Sequence, residues 1–223
     1  MKVPTIIIDN SLKDLLYYAA ILASEITVVE KQNELENLLQ ELVETTRKSI
    51  PLDNLLVQHN ACEVRALFRK IKLDPTKHRP SSEALFRRCH KDNYIPFINN
   101  VVTIGNYCSL KYLIPMGCYD VDHSGSDLTI RVGTEADTYL SLKNSEYSPH
   151  GKIIIADEKG AIGSPIVDSI RASATHTSKN IMLLYFVPVP IPENCIAEAS
   201  ELCRDLLIRY ASAKEVTIIK RQT

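Results

Sequence analysis

The sequence predicts an α+β fold, and three observations predict it. Apolar residues repeat at helical spacing through much of the stretch from Glu30 to Leu113. After Pro115 they fall instead into short strand-like runs. The chain also shows little of the strand–helix–strand alternation that builds a parallel sheet. At 223 residues it suits a single domain, 1–223, long enough to bury most of the surface its unfolded form exposes. Hydrophobic and charged fractions of 45% and 24% are those of an ordinary globular protein.

Each element has its own signal. Thr5–Ile8 reads as a short buried strand ending at the Asp9-Asn10 turn. Leu15–Ala23 is expected to be a helix and Ile26–Val29 a strand, although apolar runs this short fit either period. Leu35, Leu38, Leu39 and Leu42 mark a helix from Glu30 to about Thr46. The next helix is expected to start at Asn60, with Glu63 completing a capping box and Val64, Leu67, Phe68 and Ile71 as the buried stripe. Asp74-Pro75 breaks it. Ser81 is the expected N-cap of a helix running to about Lys91, where Glu83 favours the helix dipole. Phe97–Leu113 is expected to be helical, loosened at Gly105.

Strand candidates follow at Cys118–Val121, Leu128–Val132, Thr138–Leu142, Lys152–Ala156, Ala161–Val167 and Ile181–Val187, with a turn at Glu158-Lys159-Gly160. Pro188–Pro192 is a stiff connector into a last helix carrying Ile196, Leu202, Cys203, Leu206 and Tyr210, and Val216–Ile219 closes as an edge strand. No repeat, low-complexity tract or Gly/Ser-rich linker interrupts the chain. The expected organisation is an integrated α/β extension over 1–59, a core over 60–190, and a helix with an edge strand over 191–223.

Several function classes lose support. No apolar run reaches the roughly 18 residues of a membrane span, and the N-terminus lacks the pattern of a secretory signal. A cytoplasmic protein with no membrane partner is expected. The six cysteines contain no Cys-x-x-Cys pair, and no His-x-His or His-Glu-x-x-His accompanies them. Reduced, mostly buried thiols are expected, with no metal and no cofactor. Phosphate-cradling and dinucleotide glycine loops are missing, and Gly163-Ser164-Pro165 lacks the geometry of a nucleophile elbow.

Net charge is −1, but the sign is segregated. Met1–Val64 carries five basic and ten acidic residues, Arg65–Lys91 nine and two, and Asp92–Thr223 twelve and fifteen. A basic block in a neutral protein is a candidate contact for phosphate, or else the coat of two solvated helices.

Resemblance carries the reading further. Asp74-Pro-Thr-Lys-His-Arg-Pro-Ser-Ser-Glu-Ala-Leu-Phe-Arg-Arg88 precedes Ile98-Asn-Asn-Val-Val102, Asn106-Tyr107 and Pro115-Met-Gly-Cys-Tyr-Asp120. Then come Arg131, Ile155-Ala-Asp157 and Thr177-x-Lys179-Asn180. Over roughly residues 60 to 190 these ordered blocks resemble the B3/B4 editing domain of the phenylalanyl-tRNA synthetase β subunit, and its freestanding relatives most of all.

The resemblance implies a site that hydrolyses the ester of wrongly charged tRNA. Such an ester is already labile, so the site has only to polarise the acyl carbonyl, place a water and admit the wrong side chain. Asn106 could polarise the carbonyl or hold the water, or simply cap a neighbouring turn. Gly117 stands where the synthetase carries its editing histidine; a glycine there lets backbone approach a ligand or serves a turn. Asp168 and Ser169 fall near the glutamate that reads a tyrosine hydroxyl in the synthetase. With Arg171, Thr175 and Thr177 they form a polar group between apolar strands, which an exposed loop would also produce. His176 or His123 could replace the missing imidazole, or lie on the surface.

Asp120 and Arg131 are expected to pair across a hairpin. Lys77, Arg79, Arg87 and Arg88 would meet tRNA phosphates, with Arg79 also able to hold a carboxylate inside the fold. The expected activity is that of a trans-acting aminoacyl-tRNA deacylase, monomeric by default, partnered by tRNA or aminoacyl-tRNA. The competing class is a module that binds an amino acid or tRNA without hydrolysis, and a regulatory accessory protein is a third.

Overall fold

A computed structural model of the chain describes residues 3–220. In chain order the first elements are β1 (Thr5–Ile8), β2 (Leu16–Ser24), α1 (Asn33–Ser49), α2 (His59–Lys70), α3 (Ser81–Asp92) and α4 (Asn100–Tyr112). They are followed by β3 (Met116–Asp120), β4 (Asp127–Val132), β5 (Tyr139–Leu140), β6 (Glu146–Tyr147), β7 (Ile153–Asp157) and β8 (Gly160–Gly163). The last three are β9 (Ile181–Pro188), α5 (Glu193–Ala211) and β10 (Glu215–Lys220). The class is α+β, as expected from the sequence.

One sheet has the order β10-β2-β9-β3 with every neighbour antiparallel. The other runs β1-β4-β7-β8, with β1 parallel to β4 and the remaining pairs antiparallel. The inner strands of the first sheet, β2 and β9, are buried on both faces. Along β9, Ile181, Leu183, Tyr185 and Val187 enter a core shared with α1, α3, α4 and α5. Met182, Leu184 and Phe186, on the opposite face, enter a second core against Ile130, Ile155 and Ile162 of the other sheet. The arrangement is therefore helices on sheet on sheet. Each fully buried side chain of this size contributes about 1.5–3 kcal/mol, so the two-sided burial of β9 anchors the middle layer.

This layering explains the main departure from the sequence expectation. Leu16–Ser24 is not a helix but the strand β2, paired with both β9 and β10. Ala19, Ile21 and Ala23 face one core while Tyr18, Ala20 and Leu22 face the other, which erases any period-two pattern. Ile26–Val29 forms no strand: after Glu25, in the left-handed region at φ 52°, its amides bond to scattered partners. Thr27 N–H reaches Ala211 O and Val29 N–H reaches the Asn100 side chain.

Caps also move. Asn60 does not cap α2, which starts at His59; it donates instead to Tyr112 O at 2.8 Å. Pro80 is the N-cap of α3 and Ser81 its first residue. The helix expected from Phe97 begins at Asn100, capped by Asn99, whose side chain accepts from Val102 N–H at 2.9 Å. Val216–Ile219 lies within β10, at an edge as expected.

Candidate functional site

β3 is the edge strand of the doubly buried sheet, and α4 packs beside it. Between them opens a cleft of about 190 Å³ whose lining includes Asn106 of α4, Gly117 and Cys118 of β3, and Ser164 and Asp168 of the loop after β8. Asn106, Gly117 and Asp168 thus face one cavity. A second hollow of about 190 Å³ shares Ser81, Asn106, Met116 and Ile166 with the first and is lined further out by Arg88. Together they form a trough with a cation at one end, an amide in the middle and a carboxyl at the other end.

The loop that carries Asp168 is fixed by Ser164. Its hydroxyl donates to Val167 O at 2.9 Å and accepts from Ile166 and Val167 N–H at 3.2 and 3.0 Å. Ser81 N–H donates to Pro165 O at 2.9 Å, which ties the start of α3 to the same loop. Asp168 then docks on the open edge of β3. Cys118 N–H donates to its Oδ2 at 3.2 Å and the Tyr119 hydroxyl to its Oδ1 at 2.9 Å.

Burial pushes the Asp168 carboxyl up to about 7, against the pull of Tyr119 and of the Cys118 and Ser164 amides. The Cys118 thiol is raised by burial and by Asp168 beside it, so it is held as a thiol and is unsuited to nucleophilic attack.

Gly117 has a reason that the sequence did not reveal. Tyr119, two residues on, lies on the same face of β3 and folds back across it. A Cβ built at Gly117 would lie 2.1 Å from the Tyr119 hydroxyl oxygen. A Cβ at Gly163 would meet Asp168 Oδ1 at 2.3 Å and the same hydroxyl at 2.6 Å. The Tyr119–Asp168 hydrogen bond therefore passes over two glycines, and any side chain at position 117 would collide with it. A glycine and a tyrosine spaced i, i+2 in Pro115-Met-Gly-Cys-Tyr-Asp120 was the signal that could have found Tyr119.

The model of the B3/4 domain matches residues 63–195, more than half of the chain. The chain belongs to the B3/4 domain family.

Among curated relatives, the phenylalanine–tRNA ligase β subunit of Fusobacterium nucleatum is 28% identical over 95 residues, 41% of this chain and 12% of that protein. The same subunit of Mycoplasma pneumoniae is 33% identical over 86 residues, 38% of this chain and 11% of that protein. That of Psychrobacter arcticus is 30% identical over 97 residues, 42% and 12%. The matched stretch thus spans about an eighth of these relatives' length. An N-terminal fragment of the phenylalanyl-tRNA synthetase β subunit from Pyrococcus horikoshii superposes over 98% of this chain and 54% of that one, at 12% identity and a TM-score of 0.49.

Other residues singled out in the B3/4 sequence lie elsewhere. Ser169 is buried; its amide donates to Ile162 O and its hydroxyl accepts from Arg171 N–H. Arg171 holds Asp157 with two hydrogen bonds of 2.9 Å. Thr175 and Thr177 bond to each other on an exposed loop with His176. None of these, nor His123, lines the cleft.

The expected pairing of Asp120 with Arg131 does not form. Buried Asp120 accepts from the Ser178 hydroxyl and from Asp122 N–H, and His123 stands 3.1 Å away. Arg131 forms a fork on Asp137 at 2.7 Å to each oxygen, since the chain turns back after β4 and brings Asp137 under it. In the basic block, Arg87 donates to Glu83 at 2.8 Å and Arg79 stands 3.7 Å from the same oxygen. Lys77 and Arg88 are exposed.

Proposed function

We propose that this B3/4 protein binds tRNA and hydrolyses the ester of mischarged aminoacyl-tRNA, in the cytoplasm where tRNA is charged. The observation that carries this reading is the trough itself: Arg88, Asn106 and Asp168 stand in sequence along one groove. A terminal nucleotide linked to an amino acid presents its groups in the same order, phosphate first and acyl carbon last. The relatives are subunits of a ligase that joins phenylalanine to tRNA, which supports an RNA partner.

In this reading Arg88 takes a phosphate oxygen, and the Asn106 amide donates to the acyl carbonyl and polarises it. A carboxyl near 7 has the proton affinity suited to general base work at neutral pH. Asp168 accepts a proton as water adds to the acyl carbon. It then returns that proton to the ribose oxygen as the ester bond breaks. Tyr119 holds the carboxyl in place, and the Gly117 backbone leaves room beside it.

The test is a panel of mischarged tRNAs incubated with the purified protein. Accelerated hydrolysis of at least one ester, lost on Asn106→Ala, is the expected result. Binding without turnover of any ester would overturn hydrolysis and favour the non-catalytic module, a reading that the absence of histidine from the lining of the cleft supports.

A further inference from the structure

A second pocket, of about 340 Å³, opens between the 3₁₀ segment Leu52–Val57 and the helices α2 and α3. It is lined by Leu52, Asp53, Leu55, Leu56, Arg65 and Arg87 and shares no residue with the trough. Its volume falls within the roughly 300–1,000 Å³ of small-molecule sites.

The pairing at its floor is incomplete. Three guanidinium groups, those of Arg65, Arg79 and Arg87, gather around the single carboxylate of buried Glu83. Arg87 takes the one short hydrogen bond, while Arg65 Nε stands 3.6 Å from Oε2. Among the described residues, neither Arg65 Nε nor Glu83 Oε2 has a hydrogen-bond partner, although both atoms are enclosed. The Arg65 side chain is only 9% exposed. A guanidinium this deeply buried is costly unless an anion and hydrogen bonds compensate it, and a third of a carboxylate does not. Asp53 in the lining and exposed Asp74, whose charge Arg65 also feels, bring the carboxylates to three, yet neither hydrogen-bonds Arg65 Nε.

The walls differ from the floor. Leu52 and Leu56 are each 44% exposed, an apolar lip on a protein that buries most of its leucines. An anion seated on Arg65 and Arg87 would therefore carry a flat or apolar body. Asp53 offers the acceptor that a sugar hydroxyl needs.

We propose that this pocket binds a nucleoside monophosphate unit, its phosphate held by Arg65 and Arg87 and its base laid against Leu52 and Leu56. The unit belongs either to an RNA strand or to a free nucleotide. The site does not depend on the deacylase reading, since it uses none of the residues of the trough.

Calorimetric titration of the full chain with adenosine 5′-monophosphate, adenosine and inorganic phosphate tests it. The monophosphate should bind at least about tenfold more tightly than either fragment, because only it engages both the arginines and the leucines. Arg87→Gln should weaken it about 10- to 100-fold, the loss expected for a charged hydrogen bond. Leu56→Ser should weaken the monophosphate and leave phosphate unchanged, and Lys48→Gln should change neither.

Arg87 also supports Glu83, so a melting curve accompanies each variant. Where Arg87→Gln unfolds, the exposed Leu56→Ser and the charge-preserving Arg65→Lys carry the test. Displacement of the monophosphate by uncharged tRNA assigns the site to RNA, and its persistence assigns the site to a free nucleotide. Monophosphate binding no tighter than that of phosphate, or binding lost on Arg88→Gln but not on Arg87→Gln, overturns the proposal. Absence of deacylation alongside normal monophosphate binding would count against the deacylase only.

Discussion

Replacing Asp168 by asparagine turns the burial of that carboxyl into a measurable pH dependence. Its folded-state value of about 7 lies above the ordinary 3.8. Between those values the folded chain keeps a proton that the unfolded chain has released. Stability is therefore fully present below about pH 4 and is lost as pH rises through about 7. A gap of roughly 3 pH units at about 1.4 kcal/mol each gives about 4 kcal/mol, or about 2 kcal/mol when partial solvent contact in the cleft is allowed for. Asparagine is neutral and nearly isosteric. Its oxygen can accept from Cys118 N–H while its amide donates to the Tyr119 hydroxyl, which rotates to receive it. Urea unfolding of both proteins at pH 4.5, 6 and 8 isolates the effect, because every other titration cancels in the difference. The variant should match or trail the natural protein at pH 4.5 and exceed it by about 2–4 kcal/mol at pH 8. A difference that stays constant across that range would refute the account of this carboxyl.

Gly117→Ala should lower stability by about 1–3 kcal/mol, read as a fall in melting temperature, because the new methyl must displace Tyr119 from Asp168. Arg131→Gln should cost about 1–3 kcal/mol after allowance for the partial exposure of the arginine. It should also raise the midpoint of acid unfolding. The Arg131 fork holds the Asp137 carboxyl well below its usual range, so the stability it contributes above pH 4 is lost as pH falls, and sooner without the arginine. Lys77→Gln and Arg88→Gln should each flatten the slope of log tRNA affinity against log salt by about 0.7–0.9, with no dependence on the attached amino acid. An unchanged slope in the double variant would remove the basic block from the RNA surface.

The class of fold was legible because amphipathic helices and turn residues announce themselves locally. β2 was not, and the reason is its position: a strand between two cores is apolar at nearly every residue, which a buried helix also satisfies. Caps failed by a residue or two because the Asn60 amide found a partner across the fold, and because Ser81 lies inside the helix with its N–H on Pro165 O and its hydroxyl unbonded. In the cleft, Asn106, Gly117 and Asp168 were placed by resemblance and meet in one cavity. Tyr119 was missed, since a buried tyrosine in an apolar strand carries no signal until the glycine two residues earlier is taken as the space it needs. Ser169 and Arg171 misled because density of polar residues in a loop says nothing of direction; both turn inward to brace the loop. Arg131 and Asp137, six residues apart, needed the turn after β4 before their pairing could be seen.

Asn100 sets a boundary that differs from the limits of the family match. Its side chain is fully buried and donates to Thr27 O and Tyr210 O at 2.8 Å each, while accepting from Val29 N–H. A single amide thus knots together the beginning of the chain, the helix of the cleft and the last helix. β2 likewise flanks β9 along its whole length from Ile181 to Pro188. The segment matched by the family model, 63–195, contains β9 and Asn100 but neither β2 nor the two carbonyls to which Asn100 donates. Excised at those limits, it would expose one edge of its central strand and strand two buried donors. The stretch that carries the family pattern is here an inlay rather than a brick: whoever transplants the cleft must bring its frame.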